Sequence, residues 1–451
     1  MLLGKSRILE PLTKAARASK ADQTLLAVQR TGQTTLRFAN GRIHQNFHEE
    51  DVMVWVKVAC GGRAGVATTS SLRISSLEKA ISAAISIAKL SGKATTPAFS
   101  VTPPAIPTPQ LITYFPATAQ TPLTDIVHLI RFLSQRTEKQ GLELAGSFVI
   151  GENELAVAGS KDLVQYQPFS VGGLRLVATK GASSGFAAQA FRDIRTLGAD
   201  ALLRQVWETC RLNRAPRPLK FGKYAVMLEP EAVAELVEWL GFIGFGAKQL
   251  QERTSFLTGR LGERIMGKQI SIYDDGADGR GLAAPFDLEG IPKQRVELIA
   301  QGKAEGVVYD SYYGKMYHRP STGHSLPYDD IEGPLASNLF MAGGSVPRAE
   351  MLRRLQDGLW ITRFHYVSGL LDTQEALMTG LTRDGTFLVK KGKVAGAVKN
   401  LRFTQSVLEA FSNVLAVSKE QQLIADPAQG FSSVVCPTLL LKNFTFTGQT
   451  K

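Results

Sequence analysis

Cysteine is scarce in this sequence, which contains three among 451 residues. Cys60, Cys210 and Cys436 lie far apart and are odd in number, so they predict neither a disulfide framework nor a zinc knuckle. Isolated thiols of this kind are typical of a reducing compartment. We therefore expect a cytoplasmic protein whose core forms without covalent or metal cross-links.

Long apolar segments are also missing. The amino-terminal segment has no apolar run of signal-peptide length. The most apolar stretch, Leu236 to Ala247, contains Glu238 and is shorter than the roughly 18 apolar residues that indicate a membrane-spanning helix. Secretion and membrane spanning are therefore not expected.

The remaining composition is that of a soluble protein long enough for two or three domains, with 44% hydrophobic and 20% charged residues. Its net charge of +12 could attract acidic partners or nucleic acid. One basic series flanks two prolines and is interpreted as an extended connector, with a polyanion-binding patch as the alternative: Arg211, Arg214, Arg217, Lys220 and Lys223. No nucleic-acid-binding motif accompanies it, so nucleic acid is an unlikely partner.

The amino-terminal half alternates β-forming segments with helical spacing. Two short strands, Thr24–Val28 and Thr34–Phe38, precede an Asn40-Gly41 turn, and both turn residues tolerate the positive φ of a tight hairpin. Apolar residues then recur at helical spacing from Ser76 to Leu90. We predict that residues 1–213 form an antiparallel sheet with helices, with a connection rich in proline and threonine near 95–124.

Glycine-punctuated hairpins dominate from residue 214 onward. A helix over Glu231–Ile243 interrupts them and carries one apolar stripe. We predict that residues 214–451 form a mainly β domain with a curled, barrel-like sheet, which makes the whole chain α+β.

Two polar groups suggest chemistry of their own. His318 and His324, with Asp310, could contribute to a metal site, although three scattered residues on a glycine-containing loop favour a structured loop instead. A series of acidic residues lacks the alternating ligand pattern of a calcium loop, so a solvated loop is expected: Asp274, Asp275, Asp278, Asp287 and Glu289.

Five short segments, in this order along the chain, resemble motifs of the TldD/PmbA metallopeptidase family. They are Arg37–Asn46 (the family's RxANxxIxQ hairpin), Asp287–Pro292 (D-x-E-G-x-P), Ile299–Gly302 (I-x-x-G), Ser321–His324 (STGH) and Thr382–Val389, which is followed by Gly392. The resemblance implies an α+β amino-terminal domain, a mainly β carboxy-terminal domain and a role in intracellular peptide turnover, including the removal of leader segments.

The family's catalytic subunits carry HExxxH on a helix and a downstream cysteine. Two imidazoles of that motif hold zinc and the glutamate acts as general base. Counted back without gaps from Thr254-Ser255, the motif falls on Glu238-Trp239-Leu240-Gly241-Phe242-Ile243. Glu238 and Ile243 then replace the two histidines, and Trp239 replaces the glutamate. No histidine lies between His128 and His318, and the cysteine position, near Ile424 to Pro427, holds no cysteine.

The resemblance therefore implies the non-catalytic, TldE-like (PmbA) side of the family. Such a chain would have no catalytic or metal-binding residues and no cofactor, with zinc expected in a TldD-type partner subunit. Unfolded or leader peptides would be the substrates, peptidase activity would appear only in the complex, and self-association is possible. The alternatives are a basic, nucleic-acid-associated binding protein and an independent hydrolase with an unrecognised site.

The loop from Asp310 to His324 is the segment that we expect to border the peptide channel or the partner surface. Tyrosine offers a large contact area with a polar tip and is enriched at interfaces. The alternative is that these side chains pack within the domain. The predicted residues are Tyr312, Tyr313, Ser321, Thr322, Gly323 and His324, together with Tyr309 and Tyr317.

Overall fold

The amino-terminal part of the chain is a six-stranded antiparallel sheet covered by helices. The computed structural model describes residues 1–92, 99–427, 430 and 432–449. The strands, in the spatial order β3-β2-β1-β4-β5-β6, are β1 (Gln23–Ala39), β2 (Arg42–Cys60), β3 (Arg63–Thr69), β4 (Glu143–Gly159), β5 (Val164–Lys180) and β6 (Ser183–Phe191). The helices are α1 (Lys5–Ala18), α2 (Ile74–Leu90), α3 (Pro116–Ala119), α4 (Leu123–Glu138) and α5 (Ala199–Leu212), with a 3₁₀ turn at Ile194–Thr196.

Side chains alternate between the two faces of this sheet, as the period of a strand requires. Leu26 and Val28 pack with α1 and α2, while Leu36 and Phe38 pack with α4 and α5 on the same face. The odd-numbered residues point the other way, toward a cluster that includes residues 284–288 of the second half of the chain. The helices therefore cover one face and the carboxy-terminal part covers the other.

The prediction of two separate strands before the first hairpin is wrong. β1 is continuous over Gln23–Ala39 and pairs along its length with β2 and β4. Gly32 lies between the two predicted strands, where a Cβ would meet the Arg30 guanidinium at 2.5 Å. The Asn40-Gly41 turn is as predicted, with φ of 49° and 71°.

The carboxy-terminal part contains an eleven-stranded sheet in which five strands close into a ring, β7-β12-β13-β15-β17-β7. The strands are β7 (Gly222–Leu228), β8 (Ile272–Asp274), β9 (Val296–Ala300), β10 (Lys303–Ala304), β11 (Asn338–Met341), β12 (Gly358–Asp372), β13 (Leu377–Lys390), β14 (Lys393–Ala397), β15 (Leu401–Ser406), β16 (Val414–Ile424) and β17 (Ser433–Gln449). Its helices are α6 (Pro230–Gly244), α7 (Ala247–Gln251), α8 (Ser311–Met316), α9 (Arg348–Leu355) and α10 (Val407–Ser412).

The predicted α+β class, with an antiparallel sheet first and a curled, mainly β part second, is confirmed. The predicted boundary after residue 213 follows α5 directly. Of the predicted proline-rich connection, residues 93–98, which include Pro97, lie outside the described residues. Among the helices that the structure describes, none has the length and apolar character needed to cross a bilayer.

Helix α6 begins with Pro230 in its first turn, where a missing backbone N–H costs nothing. It packs against β12 and β17, and its predicted apolar stripe is confirmed. Val233, Leu236 and Leu240 are fully buried. This stripe fixes which face of α6 points away from the core.

We expect that Leu240→Ala lowers the free energy of unfolding by about 2–5 kcal/mol, because it leaves a cavity beside fully buried neighbours. Leu415→Ala is the matched control, since 53% of Leu415 is exposed, and it should cost less than about 0.5 kcal/mol. Urea denaturation followed by circular dichroism measures both. Equal effects of the two substitutions would contradict the assignment of α6 to the core.

Candidate functional site

A cavity of about 470 Å³ lies where α6 faces the amino-terminal sheet, and we call it the α6 cavity. Four parts of the chain form its walls. They are α6 (Glu231, Ala234, Glu235, Glu238), β12 (Arg363, Phe364, His365), the amino-terminal sheet (Arg175, Phe186, Ala188) and the residues around the link from β16 to β17 (Ile424, Ala425, Asp426, Ser432, Ser433, Val434).

Three carboxylates of α6 share one face of the helix. Glu231, Glu235 and Glu238 follow one another at intervals of four and three residues, which places them one above the other. Glu238 is exposed, whereas Glu231 and Glu235 are partly buried. The helix therefore presents a column of negative charge that runs from the solvent into the cavity.

The two arginines of the cavity are already engaged by aspartates. Arg363 donates two hydrogen bonds to Oδ2 of Asp384, the one from Nε at 2.8 Å. Arg175 lies 3.2 Å from a carboxylate oxygen of Asp426. Within the part of the chain that the structure describes, the glutamates of α6 form no hydrogen bond or ion pair of their own.

Burial therefore governs the protonation of these carboxylates. It raises the pKa of Glu231 to about 7, although Arg363 and Arg175 act against it. It raises the pKa of Glu235 to about 7 as well, with added repulsion from Glu238 and Glu231. Although Glu238 reaches the solvent, its pKa is also raised, by partial desolvation against the protein and by repulsion from Asp426. Both inner glutamates therefore hold their protons to a higher pH than an exposed carboxyl group does.

The histidine of the cavity stays uncharged. Burial lowers the pKa of His365, and the positive charges of Arg383 and Arg363 lower it further. His365 was not among the sequence-predicted site residues. It precedes a β-bulge between His365 and Ser368, and such bulges redirect side chains.

The degenerate motif predicted from the sequence lies only partly in the α6 cavity. If HExxxH begins at Glu238, only its first position faces the cavity, because Trp239 packs on Gly369 and Ile243 is buried in the core. If it begins at Pro230, its second and sixth positions, Glu231 and Glu235, both face the cavity. Neither position supplies a histidine.

The segment predicted to correspond to the family's cysteine also lines the α6 cavity, through Ile424, Ala425 and Asp426. Cys436 is fully buried, and its Sγ donates to the carbonyl oxygen of Pro230 at 3.3 Å. Burial raises its pKa well above the ordinary value, which makes it an unreactive thiol. Among the described residues, no three His, Cys, Asp or Glu side chains converge in a way that could hold a metal ion.

The prediction that the acidic residues of 274–289 form a solvated loop is wrong for its main members. Asp274, Asp287 and Glu289 are at most 4% exposed. Asp287 closes its own turn by accepting backbone N–H bonds from Glu289 and Ile291, each at 2.9 Å. Lys57 of β2 pairs with Glu289 at 2.9 Å and so links the two halves of the chain. The DLEGIP segment, Asp287–Pro292, therefore lies at the contact between the two halves of the chain.

The STGH segment is an internal element rather than an open loop. His324 is 1% exposed, and its Nε2 lies 2.8 Å from Oδ1 of Asp274. Its Nδ1 lies 3.0 Å from Oγ1 of Thr322. The Thr322 hydroxyl also donates to the carbonyl oxygen of Tyr309, so it is not free to act as a nucleophile. Gly323 is buried with a φ of 76° against Pro292.

The predicted tyrosine loop lies away from the α6 cavity. Tyr312 and Tyr313 are partly buried and stack edge to face at 5.1 Å, and Tyr309 and Tyr317 form a similar pair at 5.9 Å. Ser321 lines a separate open groove, together with residues between 99 and 106 of the predicted proline-rich connection. A role of this loop at a peptide channel or partner surface stays a prediction.

The comparisons with known proteins agree with this architecture. A model of the PmbA/TldA metallopeptidase C-terminal domain matches residues 221–448, and one of PmbA/TldA metallopeptidase domain 1 matches residues 26–88. The chain is thus an α+β protein with a metallopeptidase-type carboxy-terminal domain. It belongs to the TldD/PmbA metallopeptidase family.

Among curated relatives, a Metalloprotease TldD homolog of Haemophilus influenzae is 24% identical over 38% of this chain and 36% of its own length. Metalloprotease PmbA of Escherichia coli O157:H7 is 25% identical over 58% of this chain and 53% of its own length. The match therefore spans about a third to a half of these two proteins. A Metalloprotease TldD homolog of Buchnera aphidicola is 20% identical over 91% of this chain and 89% of its own length.

Solved structures share the fold. TldE from Thermococcus kodakarensis superposes with a TM-score of 0.85 at 20% identity, over 98% of this chain and 100% of that chain. A proposed modulator of a DNA gyrase from Thermotoga maritima superposes with a TM-score of 0.82 at 17% identity, over 94% of this chain and 96% of that chain.

The raised pKa values generate a prediction about pH and stability. The carboxyl group of Glu235 has a pKa of about 7 in the folded chain and its ordinary, lower pKa in the unfolded chain. At pH values between these two pKa values, folding therefore takes up a proton. The folded state then loses stability as the pH rises through this window. Charged or titratable groups that face Glu235 and Glu231 act on the same window: Glu238, Asp426, Arg175, Arg363, His365 and Cys436.

We expect Glu235→Gln to raise the free energy of unfolding by about 1–3 kcal/mol at pH 8 and to change it little at pH 4, where both states are protonated. Glu78→Gln on the exposed face of α2 is the control with the same change of charge. Urea denaturation at the two pH values measures the difference. A gain of the same size at pH 4, or none at pH 8, would contradict the raised pKa.

Proposed function

We propose that this chain is a non-catalytic, TldE-like subunit that assembles with a zinc-bearing, TldD-type relative, which cleaves unfolded peptides. The observation that supports this most directly is the composition of the α6 cavity. Its α6 wall offers carboxylates where the catalytic motif needs two imidazoles, and its 424–426 wall offers no thiolate.

The donor set does not fit a catalytic zinc ion. Such a site needs three protein ligands, usually histidines with a carboxylate or cysteine, about 2.0–2.3 Å from the metal. His365 is the imidazole of this cavity, and no three candidate ligands converge within the described residues. We therefore assign this chain no hydrolytic step of its own.

A subunit that keeps the scaffold without the metal contributes by binding. It supplies part of a shared wall, positions peptides or holds the catalytic partner in its active form. The TldE name of one structural neighbour and the metalloprotease names of the curated relatives are consistent with this role. The scarcity of cysteine supports a cytoplasmic location as part of the same proposal.

The test is co-expression with a TldD-type protein from the same cell, followed by size-exclusion chromatography and a fluorogenic peptidase assay. We expect one complex, zinc only in the partner, and peptidase activity at least about tenfold above that of either chain alone, a difference equivalent to about 1.4 kcal/mol. The partner with its HExxxH glutamate changed to glutamine serves as the inactive control.

Two outcomes would overturn this proposal. Full activity of the partner alone, with no gain on adding this chain, would remove the accessory role. One tightly bound zinc per chain in the purified, isolated protein would instead assign a metal site to this chain. Metal content is measured by plasma mass spectrometry after dialysis.

A further inference from the structure

The α6 cavity carries more negative than positive charge once its internal pairs are counted. Asp384 holds Arg363, and Asp426 holds Arg175, so both arginines are neutralised by residues outside α6. His365 does not compensate, since it is kept uncharged by burial and by its arginine neighbours. Glu231, Glu235 and Glu238 remain as acceptors without a donor in the part of the chain that the structure describes.

The walls next to these carboxylates are apolar. Phe186 and Ala188 of β6 face Phe364 of β12, and Ile424 and Val434 complete this lining. Such walls can pack against methylene groups while the α6 carboxylates receive a charged end. A cavity of about 470 Å³ has room for one extended aliphatic arm with its solvent.

A strained residue stands beside the cavity. Tyr366 has a φ of 50°, which is rare for an aromatic residue and costs conformational energy. Its ring is 78% exposed and lies 4.1 Å from the ring of His365, which lines the cavity. Tyr366 therefore offers an exposed aromatic ring beside a residue that lines the cavity, and a cation can bind to such a ring face.

These features select among cations. A divalent metal needs several ligands that converge on one point, and no such group exists among the described residues. An ammonium or guanidinium group carries three to five N–H donors and can bridge carboxylates that are spaced along a helix. The spacing of Glu231 and Glu235, one helical turn apart, suits such a group.

We propose that the α6 cavity binds an aliphatic arm that ends in an ammonium or guanidinium group. Glu231 and Glu235 receive the charged end, Glu238 attracts it at the entrance, and Phe186 and Phe364 pack against the arm. Within the function proposed above, the arm is the lysine or arginine side chain of a peptide, and this assignment rests on that function. A free polyamine has the same chemistry and is the other source.

The experiment uses the isolated full chain and isothermal titration calorimetry at pH 8, where the glutamates are ionised. The probes are acetylated, amidated pentapeptides of alanine with a central lysine, arginine or norleucine, and free 1,5-diaminopentane. Norleucine keeps the aliphatic arm and removes the charge. We expect the lysine and arginine peptides to bind at least about tenfold more tightly than the norleucine peptide.

Matched variants identify the residues. Glu231→Gln/Glu235→Gln should weaken the lysine peptide at least about tenfold, whereas Glu78→Gln on the exposed face of α2 should not change its binding. The double variant is expected to stay folded, because it removes buried charge, and thermal unfolding checks this. At pH 7 the wild-type chain should release protons on binding, which titrations in buffers of different ionisation enthalpy detect.

Each outcome decides something. Tight binding of the diamine with weak binding of the peptides would support the cation site and assign it to a polyamine. Equal binding of the lysine and norleucine peptides, undiminished binding by the folded double variant, or no binding of any probe would overturn the site. The titrations contain no partner subunit, so failed assembly with a TldD-type protein would leave them valid, and a failed titration would leave the assembly result valid.

Discussion

The burial of the second face of the amino-terminal sheet is the constraint on which the rest of the structure depends. The helices cover one face of this sheet, and its other face exposes Leu25, Ala27 and Trp55 unless the carboxy-terminal part lies against it. Phe286 and Leu288 fill this position. Burial of apolar side chains of this size contributes about 1.5–3 kcal/mol each, which is more than a single surface ion pair contributes.

The ion pair between Lys57 and Glu289 fixes how the two halves of the chain align at this contact. Nζ of Lys57 lies 2.9 Å from Glu289 and within 5.4 Å of the ring centres of Phe99 and Tyr328, so the charge is both paired and packed. The second carboxylate oxygen of Glu289 accepts the backbone N–H of Ser311 at 3.0 Å. Breaking a buried pair of this kind leaves an uncompensated charge, which disfavours any sliding of one half over the other. Beside the α6 cavity, β5 and β6 are held by contacts of their own, since Arg175 pairs with Asp426 at 3.2 Å and Ser184 donates to Asp384 at 2.6 Å.

The features that the sequence could predict are those governed by local periodicity and turn chemistry. The stripe of Val233, Leu236 and Leu240 and the Asn40-Gly41 turn depend on residues close in sequence. The continuity of β1 could not be predicted in this way. Gly32 fits within the strand because the Arg30 side chain occupies the space beside it and reaches Glu152 and Glu50 on neighbouring strands.

The site was harder to predict because its walls come from four distant segments. The spacing of Glu231, Glu235 and Glu238 was a visible signal, but an acidic helical face is normally solvated, and nothing local indicates that Arg175 and Phe186 cover it. The acidic residues of 274–289 show the same difficulty. The sequence shows their charge, but it does not show that Glu289 forms an ion pair with Lys57 of β2, which lies far away along the chain.

The protonation of α6 links its stability to its chemistry. Carboxylates that resist ionisation near neutral pH weaken the fold, and no donor within the described residues relieves Glu231 or Glu235. The family's catalytic motif holds its metal through imidazoles, whose neutral form binds a metal cation through nitrogen lone pairs. Carboxylates also attract positive charge, and the cation that we propose for the α6 cavity is larger than a metal ion and carries several N–H donors. In the proposed function, a change from imidazole nitrogen to carboxylate oxygen on α6 would therefore remove the metal site and still leave an attraction for cations.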